Sequence, residues 1–493
     1  MTLPLTDLAA VLPELIVVAA ACLVLALDPI TPPSKKDWLA WLSLGSLAVC
    51  FGVTFTQMDV RVSAFSDLVV LDPYACFWKL LLYLATGLTI LMSLAYLRTE
   101  RINLGEYYGF ILLSLSGMMI MVSAVDLLTI YLGLELMSLS LYVLAGFKRF
   151  EARSLEASAK YFVLGSFSSG ILLYGISMLF GVAGSTRLVA IAAAVGARGL
   201  DDPALVLAMS LLVVGFGFKI AVVPFHMWTP DVYEGAPTSV TAFMAVASKA
   251  ASFGAFLRVF LEGLGGLRAN WYALFLVVCV VTLVLGNVVA IVQTNIKRML
   301  AYSSIAHAGY ALIGVVVAGQ TEAEGAVRTL GVSSVMLYLA VYAFMTLGAF
   351  AVVAMLRKGG LEGDEIEDFT GLAKRQPLAA FLMLVFMVSL AGIPPTAGFI
   401  GKFYLFLAAV KAGLTWLAVV AVLFAAVSAY YYLRVVMVMY MREPQASNGV
   451  EPRLVTSTAM TIVLACAFAG VVLLGLFPGP LVSVTTHAVL PLK

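Results

Sequence analysis

The chain has 493 residues, of which 62% are hydrophobic and 11% charged, with a mean hydropathy of +1.05. That composition excludes a soluble domain built around one buried core and defines a polytopic membrane protein. The net charge of +2 gives no footing for a nucleic-acid partner, and Cys22, Cys50, Cys76, Cys279 and Cys466 are too scattered for a disulfide framework, a zinc site or an iron–sulfur site.

Apolar runs of roughly 18–25 residues between polar punctuation predict 14 membrane spans. They fall near 8–27, 38–56, 73–97, 106–124, 127–146, 155–181, 203–225, 238–261, 271–293, 299–319, 327–356, 377–410, 415–440 and 455–477. The first carries Asp7 and Glu14 where a signal peptide would carry positive charge, so it is expected to be a retained span. Two runs cannot be plain crossings. In 203–225, Lys219 sits in apolar surroundings and Pro224 has no N–H for the ladder, which predicts a helix break near Ile220. The run 377–410 is too long for one straight crossing and contains Pro394 and Pro395, which predicts a second break. Broken helices carrying a charge are tolerated only beside protein or water, which is how ion pathways are built.

An even number of spans places both termini on one side. Of the 29 Lys and Arg residues, 15 fall in the connections after odd-numbered spans, among them Lys148, Arg149, Arg153, Lys297, Arg298, Lys374 and Arg375. The opposite connections hold seven: Arg61, Arg187, Arg198, Arg268, Arg328, Lys411 and Lys493. The positive-inside tendency makes the first set cytoplasmic and sends both termini outward. Lys79, Arg258 and Arg434 lie near span ends, where they are expected to snorkel to the interface. The charged connection from Leu356 to Pro377 is expected to lie on the cytoplasmic surface as a short helix ended by Gly371.

A weak internal repeat accompanies the breaks. Spans 4–8 and 9–13 each hold a proline-broken fourth helix with a lysine, then a helix ending in Phe256-Leu257-Arg258-Val259 or Tyr432-Leu433-Arg434-Val435. A five-helix unit has an odd number of crossings, so its tandem copy enters the membrane upside down. The predicted fold is therefore an all-α membrane protein of about 14 helices with two inverted five-helix repeats. Its parts are helices 1–3 (residues 1–105), the first repeat (106–262), the second (263–440) and a last loop and helix (441–493).

The charges within the spans form the candidate site. Glu135 lies about 13 Å past Asp126, close to the midplane of a ~30 Å core. Lys249, twelve residues beyond Pro237, is also near the midplane, while Lys219 and Lys402 each lie beside a break. Each lysine costs about 2.5–3.5 kcal/mol to place in a membrane, so three in different spans point to a proton or cation pathway more than to structural pairing. Burial lowers a lysine pKa and an approaching carboxylate raises it, so a Glu135–Lys219 pair that separates would release a proton towards Lys249. Lys160, about 10 Å into its span, either joins this network or tunes Lys219. His307 follows Lys297 and Arg298 much as Glu135 follows Asp126, and an imidazole there can carry a proton at neutral pH. His226 reads as a loop or cap residue past the break. Ser303, Ser304, Tyr310 and Tyr338 can support water chains or simply pack. No Walker A loop, dinucleotide fingerprint or haem ligand set is present in the sequence, so the energy source is expected in another chain or an ion gradient.

The stretch KIAVVPFHMWTPD from Lys219 to Asp231, followed by EGAPT at 234–238, resembles the antiporter-like subunits of proton-translocating NADH:quinone oxidoreductase, respiratory complex I. The segments VYEGAPTSVTAFMAVASKAASFGA and LAGIPPTAGFIGKFYLF, the length and the span count are most similar to the N-type branch, over nearly the whole chain. The resemblance implies a membrane-arm subunit with one proton channel, driven by quinone chemistry elsewhere in the complex. By it, Glu135 matches the family's essential glutamate, Lys219 its broken-helix lysine, Lys249 its central lysine and Lys402 its second broken-helix charge. It implies that FMN, iron–sulfur clusters and quinone belong to other subunits, with no cofactor or metal on this chain. The implied partners are the other membrane-arm subunits, including a second antiporter-like subunit and small connecting subunits, together with lipid in a bacterial inner membrane. A subunit of a multi-subunit sodium/proton antiporter is the alternative that shares fold and lysine row, and a structural spacer with a degenerate channel is a third.

Overall fold

The computed structural model describes residues 5–32, 35–198, 202–358, 361–443, 453–454 and 456–490. Lys493, counted above among the outer basic residues, lies outside them. The helices are α1 (Leu12–Leu27), α2 (Asp37–Thr56), α3 (Pro73–Thr99), α4 (Glu106–Ser123), α5 (Leu127–Ala145), α6 (Ala152–Ala183), α7 (Pro203–Ile220) and α8 (Trp228–Gly235). They continue as α9 (Thr238–Gly263), α10 (Arg268–Ile291), α11 (Ile296–Gly319), α12 (Gly325–Met355), α13 (Pro377–Ala391), α14 (Ala397–Lys411), α15 (Thr415–Met441) and α16 (Thr458–Leu476).

Polar residues at the ends of apolar runs set where these helices begin. Asp72, Asp126, Asp202, Asn295 and Ser457 each accept a bond from a backbone N–H in the first turn of α3, α5, α7, α11 and α16. Pro73 and Pro203 follow two of these caps, where a missing N–H costs nothing. Among the described residues, 12 helices are long and apolar enough to cross a membrane. The two remaining expected spans are α1, with 16 residues, and the pair α13 and α14, with 15 residues each. Both breaks form where expected. The helix α7 ends at Ile220 with Ala221 in the left-handed region, and α13 ends at Ala391 with Gly392 at a φ of 86°.

The helix α9 is buried over its whole length, and α11 and α12 nearly so, while α2, α15 and α16 leave most of their surface on the outside of the bundle. Lys249 is on α9, His307 on α11 and Tyr338 and Tyr342 on α12, so the candidate site is built on the innermost helices. The helix α9 contains two π turns, Met244–Ser248 immediately before Lys249 and Val259–Gly263 immediately after Arg258.

Three peripheral expectations need correction. Lys79 does not snorkel: it is 1% exposed and meets Glu14 of α1 at 2.6 Å. Arg258 is also fully buried, donating to both carboxylate oxygens of Asp72 at 2.9 and 3.1 Å, with its guanidinium 4.9 Å from the Tyr74 ring centroid. Arg434 donates to the backbone carbonyls of Ile291 and Gln293 at the end of α10. A span end inside a bundle is still inside protein, so Lys79 and Arg258 find partners rather than water, while Arg434 stays half-exposed. The 356–377 connection also differs from a single short helix. It starts as a strand, Leu356–Lys358, paired antiparallel with Leu361–Glu362 and with Arg453–Leu454, and continues as a one-turn 3₁₀ helix, Ile366–Phe369. Gly371, at a φ of 66°, joins that turn to a second short helix, Leu372–Arg375.

Candidate functional site

The first charged group is set by α5. Its side chains at Glu135, Ser138 and Tyr142 are spaced by three and four residues and share one face of the helix. The last turn of α7 brings Lys219 against that face. Its Nζ donates to Ser138 Oγ at 2.7 Å and to the Tyr142 hydroxyl at 3.5 Å, and Ser138 in turn donates to the Leu134 carbonyl. The ammonium also lies over the Tyr142 and Phe218 rings, at 5.7 and 5.6 Å. Glu135 acts on the Lys219 charge without a direct contact. Its buried Oε1 has no hydrogen-bond partner, and the ammonium one turn along bonds a neutral hydroxyl instead.

Lys249 sits at the midpoint of α9 and donates to both the carbonyl and the Oγ of Ser304, each at 2.6 Å. The Tyr342 hydroxyl donates to the same Oγ at 2.8 Å. One turn along α11, His307 takes over: its Nδ1 is 2.5 Å from the Tyr338 hydroxyl and its Nε2 is 3.1 Å from that of Tyr432, which also bonds Ser303. The His307 ring packs 4.9 Å from Tyr342 and 6.0 Å from Tyr310. Two hydrogen-bonded groups, Lys249–Ser304–Tyr342 and Tyr338–His307–Tyr432–Ser303, thus lie side by side across α11 and α12, in contact through the His307 and Tyr342 rings.

Lys402 closes the row at the second break. Ending α13 at Ala391 leaves its last carbonyls without intrahelical donors, and Lys402 Nζ donates to those of Leu390 and Ala391 at 3.0 and 2.8 Å. The negative end of the helix dipole points at the ammonium, so the break itself supplies the site. Tyr310 lies beneath, its ring centroid 4.8 Å from Nζ. Gly401 lets Tyr338 approach, since a Cβ there would stand 2.9 Å from the tyrosine ring.

Lys219, Lys249 and Lys402 are 3%, 2% and 3% exposed. All three hydrogen-bond only neutral oxygens among the described residues. Lys160 stands apart: its side chain is 41% exposed and it pairs with Glu156 at 2.7 Å and Asp231 at 2.8 Å. With Arg153, Glu234 and Arg298 these groups line an open cavity of about 240 Å³ outside α8. Pro224, Pro394 and Pro395, at the breaks, are exposed on the surface of the chain. No group of three or more His, Cys, Asp or Glu side chains able to hold a metal ion occurs among the described residues.

Residues 124–429, which contain all of these groups except Tyr432, match the family model described as NADH:quinone oxidoreductase/Mrp antiporter, transmembrane. The chain is 49% identical to NADH-quinone oxidoreductase subunit N 2 of Rhizobium meliloti, covering 94% of each chain. It is 46% identical to NADH-quinone oxidoreductase subunit N of Trichlorobacter lovleyi, covering 98% and 97%. The chain belongs to the subunit N family of NADH-quinone oxidoreductases. Its fold agrees: a chain of respiratory complex I from Thermus thermophilus superposes with a TM-score of 0.79 at 33% identity, covering 96% of this chain and 98% of the other. A chain of the Mrp complex from Dietzia shares the fold alone, with a TM-score of 0.82 at 21% identity and coverage of 98% and 97%. A subunit N is thus a multi-pass membrane component of a multi-subunit respiratory enzyme.

Four partners of the charged row were not singled out from the sequence of this subunit N: Ser138, Tyr142, Tyr342 and Tyr432. Ser138 and Tyr142 carried a usable signal, their helical spacing from Glu135. Tyr342 and Tyr432 did not, because their meeting with Ser304 and His307 depends on packing between helices far apart in the chain.

Proposed function

We propose that this subunit moves protons across the membrane along Glu135, Lys219, Lys249, His307 and Lys402, driven by quinone reduction elsewhere in the complex. The observation that carries this reading is that three lysines are buried on separate helices with no carboxylate in hydrogen-bonding contact. An ammonium bonded only to hydroxyls and carbonyls has acceptors in place when charged and no buried counter-ion left behind when neutral. Glu135 supplies the switching charge at one end: its unpartnered oxygen shares a helix face with Ser138, the acceptor of Lys219.

The two halves, 106–262 and 263–440, are read as inverted repeats, each contributing a broken helix with its lysine and a helix ending in a buried or carbonyl-bound arginine. FMN, iron–sulfur clusters and quinone are assigned to other subunits. The partners are the neighbouring membrane-arm subunits, including a second antiporter-like subunit and small connecting subunits, in a bacterial inner membrane with both termini outside.

The test is quinone-linked proton pumping in membrane vesicles carrying Glu135→Gln or Lys219→Ala, with assembly of the complex followed in parallel. Loss of pumping and turnover in an assembled complex supports the relay. Unchanged pumping overturns it, and sodium-dependent transport without redox activity would favour the antiporter alternative.

A further inference from the structure

The relay as described leaves a gap between Lys219, on α7, and Lys249, on α9. The short helix α8 joins α7 to α9 in the chain and packs against α6 and α11. Its start is pinned to the end of α7, where Trp228 Nε1 donates to the Phe218 carbonyl at 2.9 Å and the two rings stack at 5.3 Å. Its far end packs on α11, where Ser304 lies.

The faces of α8 differ. Asp231 and Glu234 point to the charged cavity shared with Lys160 and Arg298. On the other side, Thr229 and Tyr233 follow each other at i and i+4, with His226 one turn earlier, in the turns that lead into α8. Thr229 and Tyr233 are completely buried, and Thr229 Oγ1, the Tyr233 hydroxyl and His226 Nδ1 all lack a hydrogen-bond partner. Three orphaned polar groups in one row are uncommon in a folded interior, where such groups are normally satisfied by protein or ordered water.

The Tyr233 hydroxyl faces Ser304, at the edge of hydrogen-bonding reach, with Tyr342 nearby. Ser304 Oγ already accepts from Lys249 and from Tyr342, which fills both its lone pairs. Its remaining capacity is its own proton, and the Tyr233 oxygen is placed to take it.

We infer that this face of α8 is the internal connection between Lys219 and Lys249, with Tyr233 as the transfer group at the Lys249 end. The inference rests on the relay proposed above and names the residues that join its halves. In one hop towards Lys249, the Tyr233 oxygen takes a proton from the Thr229 side and gives its own to Ser304 Oγ, and Ser304 gives its own to neutral Lys249, with water as carrier between hydroxyls. Each oxygen gains one proton and loses one, so the net change is a charge arriving at Lys249.

The experiment compares Tyr233→Phe, Thr229→Val, Thr229→Ser and Lys249→Ala in the assembled complex, reading proton pumping and the solvent deuterium isotope effect on NADH–quinone turnover. Tyr233→Phe and Thr229→Val keep shape and lose only hydroxyls. They are expected to reduce pumping severalfold and change the isotope effect, whereas Thr229→Ser restores it. Normal pumping in both hydroxyl-free variants while Lys249→Ala fails overturns the connection and leaves the relay standing. Normal pumping in Lys249→Ala overturns the relay itself. If Tyr233→Phe prevents assembly, the contrast between Thr229→Val and Thr229→Ser decides, and equal loss in both overturns the connection.

Discussion

Two sets of buried cations in this protein are held in opposite ways. Near the span ends, Lys79 meets Glu14, Arg258 meets Asp72 and Lys36 meets Asp28 at 2.8 Å, each a cation with its own carboxylate. In the interior, Lys219, Lys249 and Lys402 are as deeply buried and rest on hydroxyls and carbonyls. A buried ion pair is locked, because neutralising either partner strands the other charge. A lysine on neutral acceptors strands nothing when its proton leaves. On the proposed relay, burial alone does not separate structural from mobile charge in this bundle, and the chemistry of the acceptor does.

The sharpest way to break this division is to remove one cation from each set. Lys79→Ala leaves Glu14 buried without its partner, which costs about 3–5 kcal/mol. It is expected to lower the amount of assembled complex and its thermal stability, and the double variant Glu14→Gln with Lys79→Met is expected to restore both. Lys249→Ala, in contrast, leaves no stranded charge. It should assemble as well as the parent and lose pumping about a hundredfold, the effect of removing a positioned proton-transfer group. If Lys249→Ala instead fails to assemble and Lys79→Ala assembles and does not pump, the two sets have been assigned the wrong way round.

A smaller effect is expected one step from the lysines. Tyr338→Phe removes the hydroxyl that bonds His307 Nδ1 and leaves the ring packed beside Gly401. Loss of one such bond is worth about 1.4 kcal/mol, so pumping should fall about tenfold with no change in assembly. Unchanged pumping in this variant would take His307 out of the path.

The sequence made the backbone of this arrangement legible and hid its contacts. Span positions, both breaks and the four charges of the row follow from apolar run length, proline and the rarity of charge in a membrane, all local properties of the chain. The failures share one cause. Lys79 and Arg258 lie near span ends, where water was expected, but whether a span end meets water depends on which helices surround it. The expected coupling of Glu135 to Lys219 is electrostatic and not a direct contact. Ser138, three residues from Glu135 on the same helix face, takes the ammonium instead.

Lys160 tests the boundary between the two sets, since it is neither buried nor without carboxylates. Its side chain is 41% exposed, and its partners Glu156 and Asp231 are 63% and 33% exposed. Pairs of that kind contribute about 0–1 kcal/mol and are screened by salt. Removing Lys160 does not strand Asp231 either, because Arg298 holds the other carboxylate oxygen at 2.7 Å and Glu234 at 3.0 Å. Lys160→Ala is therefore expected to assemble normally and to pump within about twofold of the parent, with the difference shrinking as salt is raised. A loss as large as that of Lys249→Ala, independent of salt, would place Lys160 in the proton path. It would also mean that a cation paired with carboxylates can carry the proton, and the acceptor chemistry that divides the two sets would no longer be the deciding property.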